Sequence, residues 1–157
     1  MPSGTFLPEQ FQLICGPNRT LNTVTPTLQQ NVFKLRNSTI SFLDNGIVLL
    51  KIDDNSEVQV EDSIEQHKIF KKNYIPGKKF RILVDPGRYT SISTEAREYS
   101  SRPENNNLTL ATAVIIKSLA QRIVINFMIN FVQKQNMRMR MFESKEKAIE
   151  WLTGLKE

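Results

Sequence analysis

The amino-acid sequence predicts an α/β domain: a mixed, mainly parallel sheet of about five strands, with an opening antiparallel hairpin and about four helices. Three observations predict it. Two β-rich runs flank Asn45-Gly46, a turn signal that joins antiparallel strands. Strand-like and helix-like patterns then alternate to the end of the chain, as a parallel sheet with crossover helices requires. The run Leu110 to Ile116 carries no charge and reads as a strand covered on both faces.

Taken in order, residues 1–30 are rich in Pro, Thr, Asn and Gln, with Glu9 and Arg19 as their charged residues. They read as an irregular N-terminal arm with one short element around Gln10 to Cys15. Its Phe6, Leu7, Phe11, Leu13 and Ile14 suit docking on the domain or on a neighbouring subunit. The α/β domain itself is expected over residues 31–157. The hairpin pairs about 38–44 with 47–52, and Asp53 to Ser56 ends its second strand. A helix follows from about Gln59 to Tyr74, with Val60, Ile64, His67 and Phe70 at helical spacing and Pro76-Gly77 as its stop.

Phe80 to Asp85 is the next strand, closed by Pro86-Gly87. Ser93 can cap a short helix over Thr94 to about Ser101, ended by Pro103 and the loop Asn105-Asn106-Asn107. After the Leu110–Ile116 strand, Ser118 can cap the longest helix, about Leu119 to Lys134. Arg138 to Phe142 alternates as a final strand, with methionines on one face and arginines on the other. Ser144 can cap a last helix to about Leu155, whose apolar face is Ala148, Trp151, Leu152 and Leu155.

The chain has 157 residues, 39% hydrophobic and 24% charged, which fits one domain and excludes wholesale disorder. Its net charge of +5 permits an acidic partner, but acidic residues are interspersed among the basic ones. Without a basic stripe interleaved with aromatics, nucleic-acid binding is not expected. Cys15 stands alone, so an internal disulfide is excluded and a reduced compartment is expected. The first sixteen residues lack the features of a secretory signal, and the apolar run from Ala111 to Val132 is broken by Lys117, Arg122, Asn126 and Asn130. A cytoplasmic location is therefore expected.

Four stretches resemble the STAS domain (sulfate-transporter and anti-sigma-factor-antagonist), and more closely a STAS-like or CRAL-TRIO-like bacterial group. They are the hairpin with Asn45-Gly46, Ile82 to Asp85 with the loop Pro86 to Ser93, Ala113 to Leu119 entering an apolar helix, and the ending Met141 to Leu152. The resemblance covers about residues 32–155. In sporulation-type antagonists the second stretch leads into an Asp-Ser pair before a helix, and a partner kinase phosphorylates that Ser. The resemblance puts Ser93 at the Asp and Thr94 at the acceptor. Glu95 and Ala96 stand where the usual small Gly would follow. On the residues alone, Ser93 and Thr94 are ordinary helix-capping types.

Ligands of open α/β sheets bind beyond the carboxyl ends of the parallel strands. Asp85, Arg88, Tyr89, Ser91, Ser93 and Thr94 are expected there after one strand, and Lys117 and Ser118 after the next. Lys117 and Ser118 at a helix start could hold an anion. His67, the sole histidine, falls on an apolar stripe and is expected to be partly buried and hydrogen-bonded. With no nucleophile motif, phosphate loop or metal-ligand spacing, neither catalysis, nor a metal, nor a cofactor is expected.

The 119–134 helix is the chain's oddity. Ser118, Arg122, Asn126, Asn130 and Lys134 make one narrow polar stripe and almost all else is apolar, far wider than the ≳ 100° face a sheet-covering helix needs. Phe127, Met128 and Phe131 are the candidate apolar interface, and a homodimer is one way to cover it. The expected function is a non-enzymatic binding or regulatory module acting through protein contacts around residues 85–97. The alternative is a carrier or sensor of a small apolar or lipid-like ligand using the apolar helix 119–132. Membrane-surface association is the least favoured variant.

Overall fold

The computed structural model describes residues 31–133 and 137–156; of residues 131–133 it describes the backbone alone. The expected arm of residues 1–30 lies outside the described residues. The domain opens with β1 (Val32–Lys34), β2 (Ser38–Phe42) and β3 (Ile47–Ile52), each antiparallel to the next. The β2–β3 pair is the hairpin that Asn45-Gly46 announces. Its turn is not the two-residue kind, because Gly46 takes a φ of 78° and Asn45 has no positive φ. Gly46 N–H donates to Leu43 O at 3.0 Å and Leu43 N–H to Ile47 O at 2.9 Å, the pattern of a three-residue loop ending on a left-handed glycine.

Next come β4 (Glu57–Val58), α1 (Val60–Lys72), β5 (Phe80–Asp85), β6 (Ser91–Ile92), α2 (Thr94–Ser101) and α3 (Pro103–Asn106). The chain ends with β7 (Thr109–Ile115), α4 (Leu119–Gln133), β8 (Met139–Phe142) and α5 (Lys145–Gly154). The main sheet runs β1-β2-β3-β5-β7-β8, and β3, β5, β7 and β8 are parallel. β4 and β6 form a separate two-stranded parallel ribbon. The mixed, mainly parallel α/β architecture is thus as the sequence predicts. Four small elements escaped the sequence reading: β1, β4, β6 and α3. Each has two to four residues, too few to display a period. Pro103, read as a helix stop, also starts α3, where its missing N–H costs nothing.

Alternation along the strands builds two cores. Ile47, Leu83, Ala111, Ala113 and Ile115 face Ala148 and Leu152 of α5, and the small alanines let that helix lie close. Ile40, Val48, Leu50, Phe80 and Ile82 face the other way and pack with Phe70 of α1. The predicted stripe of α1 is rotated. Val60 and Ile64 are half-buried, while Asp62, Ser63, Gln66, His67 and Phe70 are buried. Polar partners explain the rotation: Gln66 Nε2 donates to Ser38 Oγ at 3.1 Å, and Asp62 accepts from Asn37 Nδ2 at 3.0 Å and from Gln59 N–H at 2.8 Å.

Candidate functional site

The carboxyl ends of β5 and β7 lie side by side and parallel, with Leu83 opposite Ala113 and Val84 opposite Val114. That register brings Asp85 and Lys117 together across 32 residues of sequence: Lys117 Nζ sits 2.5 Å from Asp85 Oδ1 and 3.4 Å from Pro86 O. Lys117 and Ser118, expected to hold an anion, both have partners within the chain. Lys117 neutralises a neighbouring carboxylate, and Ser118 Oγ accepts the Gln121 N–H at 3.2 Å as a helix cap.

Gln121, which the sequence reading overlooked, ties this corner together. Its Oε1 accepts the Lys117 N–H at 2.8 Å and its Nε2 donates to Gly87 O at 3.0 Å. The 86–93 loop is thereby fixed to the first turn of α4. Its other side is fixed to the turn after β3. Arg88 N–H donates to Asp54 Oδ1 at 2.8 Å and Asn55 N–H to Arg88 O at 2.8 Å. A Cβ on Gly87 would come within 2.7 Å of the Asp53 and Asp54 backbone, so this crossing needs glycine.

On that buttressed loop Tyr89 adopts a φ of 53° and leaves its side chain 87% exposed. A left-handed conformation costs a non-glycine residue roughly 1–2 kcal/mol, and the reward is an aromatic ring held in solvent. Arg88 is also exposed. Ser91, exposed in β6, donates its N–H to Ser56 O at 3.1 Å. Ser93 caps α2, accepting the Ala96 N–H on its Oγ at 3.1 Å. Thr94 begins that helix, exposed, and its Oγ1 accepts from Arg97 Nη2 at 3.2 Å.

Arg97 links this segment to α4, its guanidinium lying 5.9 Å from the ring centroid of Phe127. Phe127 is 64% exposed, and Leu119, Ile123 and Val124 are exposed with it. Of the expected interface of Phe127, Met128 and Phe131, Phe127 is exposed, and the other exposed apolar residues lie toward the start of the helix. Met128 is half-buried, and the Phe131 side chain lies outside the described residues. Residues 85–97 and α4, two separate candidates in the sequence, form one continuous surface through the Gln121–Gly87 and Arg97–Phe127 contacts.

His67 sits elsewhere, between α1 and α2, with its ring edge-on to Tyr99 at 6.2 Å. It is buried as expected, but the expected hydrogen bond is missing at Nε2, which has no partner among the described residues. Burial, and secondarily the charge of Lys71, lowers its pKa. Among the described residues no group of three His, Cys, Asp or Glu is placed to hold a metal ion. Among the same residues no helix is long and apolar enough to cross a membrane.

Residues 41–156 match the family model described as "Domain of unknown function (DUF7793)". The chain belongs to this family. No curated protein matches it. Among solved structures it is similar to an uncharacterized protein of the DUF3478 family with a SpoIIAA-like fold from Shewanella loihica PV-4. The two share 14% identity and superpose with a TM-score of 0.51, over 77% of this chain and 90% of that one. The DUF7793 domain thus has a SpoIIAA-like, that is STAS-like, fold, in agreement with the resemblance read from its hairpin, strand ends and final helix.

Proposed function

We propose that this domain is a non-enzymatic protein-interaction module that binds through the surface shared by residues 85–97 and α4. The observation that carries the reading is the joining of a rigid loop bearing an exposed tyrosine to a helix bearing four exposed apolar side chains. Burying each such side chain is worth about 1.5–3 kcal/mol, so the surface holds free energy that folding leaves unused. Within residues 85–97 the rim carries two arginines against one exposed carboxylate, Glu95: Arg88 and Arg97 have no ion pair among the described residues. The partner that fits is a protein presenting an apolar patch flanked by carboxylates.

The test uses the full chain carrying a photocrosslinking residue at position 89 or 127, in extracts of its own cells. The expected product is a crosslink to a partner peptide combining apolar and acidic residues. Phe127→Asp and Arg97→Glu should each abolish it with the circular dichroism spectrum unchanged. Crosslinking that survives both substitutions would sink the reading. A product between two copies of this chain would make the partner a second subunit.

A further inference from the structure

We propose that a cleft at the opposite, amino-terminal edge of the parallel strands binds a medium-chain aliphatic carboxylate. It is independent of the surface above and lies at the other end of the sheet. Its volume is about 300 Å³. One wall is the β2–β3 turn, with Leu43 and Ile47. The floor is Phe42 and Phe80, packed edge to face at 6.0 Å. The other wall is the linker between α1 and β5, which leaves the helix at Asn73 and closes a tight turn over Ile75-Pro76-Gly77-Lys78. There the Lys78 N–H donates to Ile75 O at 3.0 Å with Gly77 at a φ of 83°, the arrangement that proline then glycine favours. The turn places Ile75, 57% exposed, and Lys78 at the mouth together.

The charge of the mouth selects the ligand. Lys78 and Lys79 line the cleft, and neither ammonium has an ion pair among the described residues. Arg81 also lines it and donates to Leu155 O at 3.1 Å. None of the lining residues is acidic. An apolar pocket with two cations at its entrance complements a molecule with a greasy body and one anionic end. A volume of about 300 Å³ lies at the low end of small-molecule pockets, about 300–1,000 Å³, which favours an eight-carbon carboxylate over a long-chain lipid.

Octanoate titrated into the isotopically labelled full chain tests this by NMR. Saturable amide shifts are expected at residues 42–48 and 73–81. Octan-1-ol and octylammonium should bind about tenfold more weakly or less, the worth of a charge-assisted contact. The double substitution Lys78→Glu with Lys79→Glu should weaken octanoate by a similar factor while leaving the rest of the spectrum in place. Leu43→Trp, which fills the cleft, should abolish binding. Equal affinity for octylammonium, shifts centred on residues 119–127, or no saturation would each overturn the proposal. Crosslinking at positions 89 and 127 is unaffected by any of these results, so the two proposals fail separately.

Discussion

Helix α1 buries Asp62, Ser63, Gln66 and His67, whereas α4 leaves Leu119, Ile123, Val124 and Phe127 in solvent. Both helices connect parallel strands of one sheet, so the difference lies in what surrounds each. Asp62 and Gln66 of α1 meet partners, while His67 Nε2 is buried without one among the described residues. Asp62 alone accepts from the Arg36 guanidinium at 2.9 and 2.5 Å, from Asn37 and from the Gln59 backbone. Burial by itself would raise the Asp62 pKa. The hydrogen bonds from Arg36, Gln59 and Asn37 outweigh it and hold the carboxyl below its ordinary value. The apolar groups of α4 meet no cover on their outer side among the described residues. A helix whose polar atoms are satisfied inward serves the fold, and one whose apolar atoms are left outward is available for contact.

The sharpest way to break this comparison is to remove packing from α1. Phe70→Ala should destabilise the domain by about 3–5 kcal/mol, read from urea unfolding, because Phe70 packs with Phe80 inside the second core. Asp62→Ala should cost about 1–3 kcal/mol, the penalty of leaving buried donors without an acceptor. A loss under about 0.5 kcal/mol would mean that the polar stripe does not serve the fold.

pH gives a third, smaller effect. The folded-state pKa of His67 lies below its ordinary 6.5. Stability is therefore fully present above that value and is lost as pH falls through the folded pKa, because the unfolded chain takes up the proton first. The melting temperature should fall from pH 7.5 to 5.5, and His67→Gln should remove that slope. Asp62 acts in the same direction at lower pH, since its folded pKa lies below 3.8. The smallest effect belongs to α4. Ile123→Ser and Phe127→Ser should each change unfolding stability by no more than about 0.5 kcal/mol; a cost near that of Phe70→Ala would show that the α4 face is covered.

The sequence revealed its elements where period and punctuation agree. Asn45-Gly46 marked the hairpin, and Ser93, Ser118 and Ser144 each cap the helix they precede. The candidate site was only partly readable. Asp85 and Lys117 were both singled out, but their pairing depends on the register of β5 against β7. Gln121 gave no signal, because a glutamine in a helix's first turn is ordinary until a loop carbonyl lies above it. The cleft was hidden for the same reason: the two turns that wall it are about 30 residues apart.

The amino-acid order alone determined the architecture, since backbone propensity, side-chain period and turn chemistry are local and survive without knowledge of neighbours. The tertiary structure alone decided which face of α1 turns inward, that residues 85–97 and α4 share one surface, and that Lys117 neutralises Asp85. Each of these depends on distances between segments remote in sequence, which only strand register and helix packing establish.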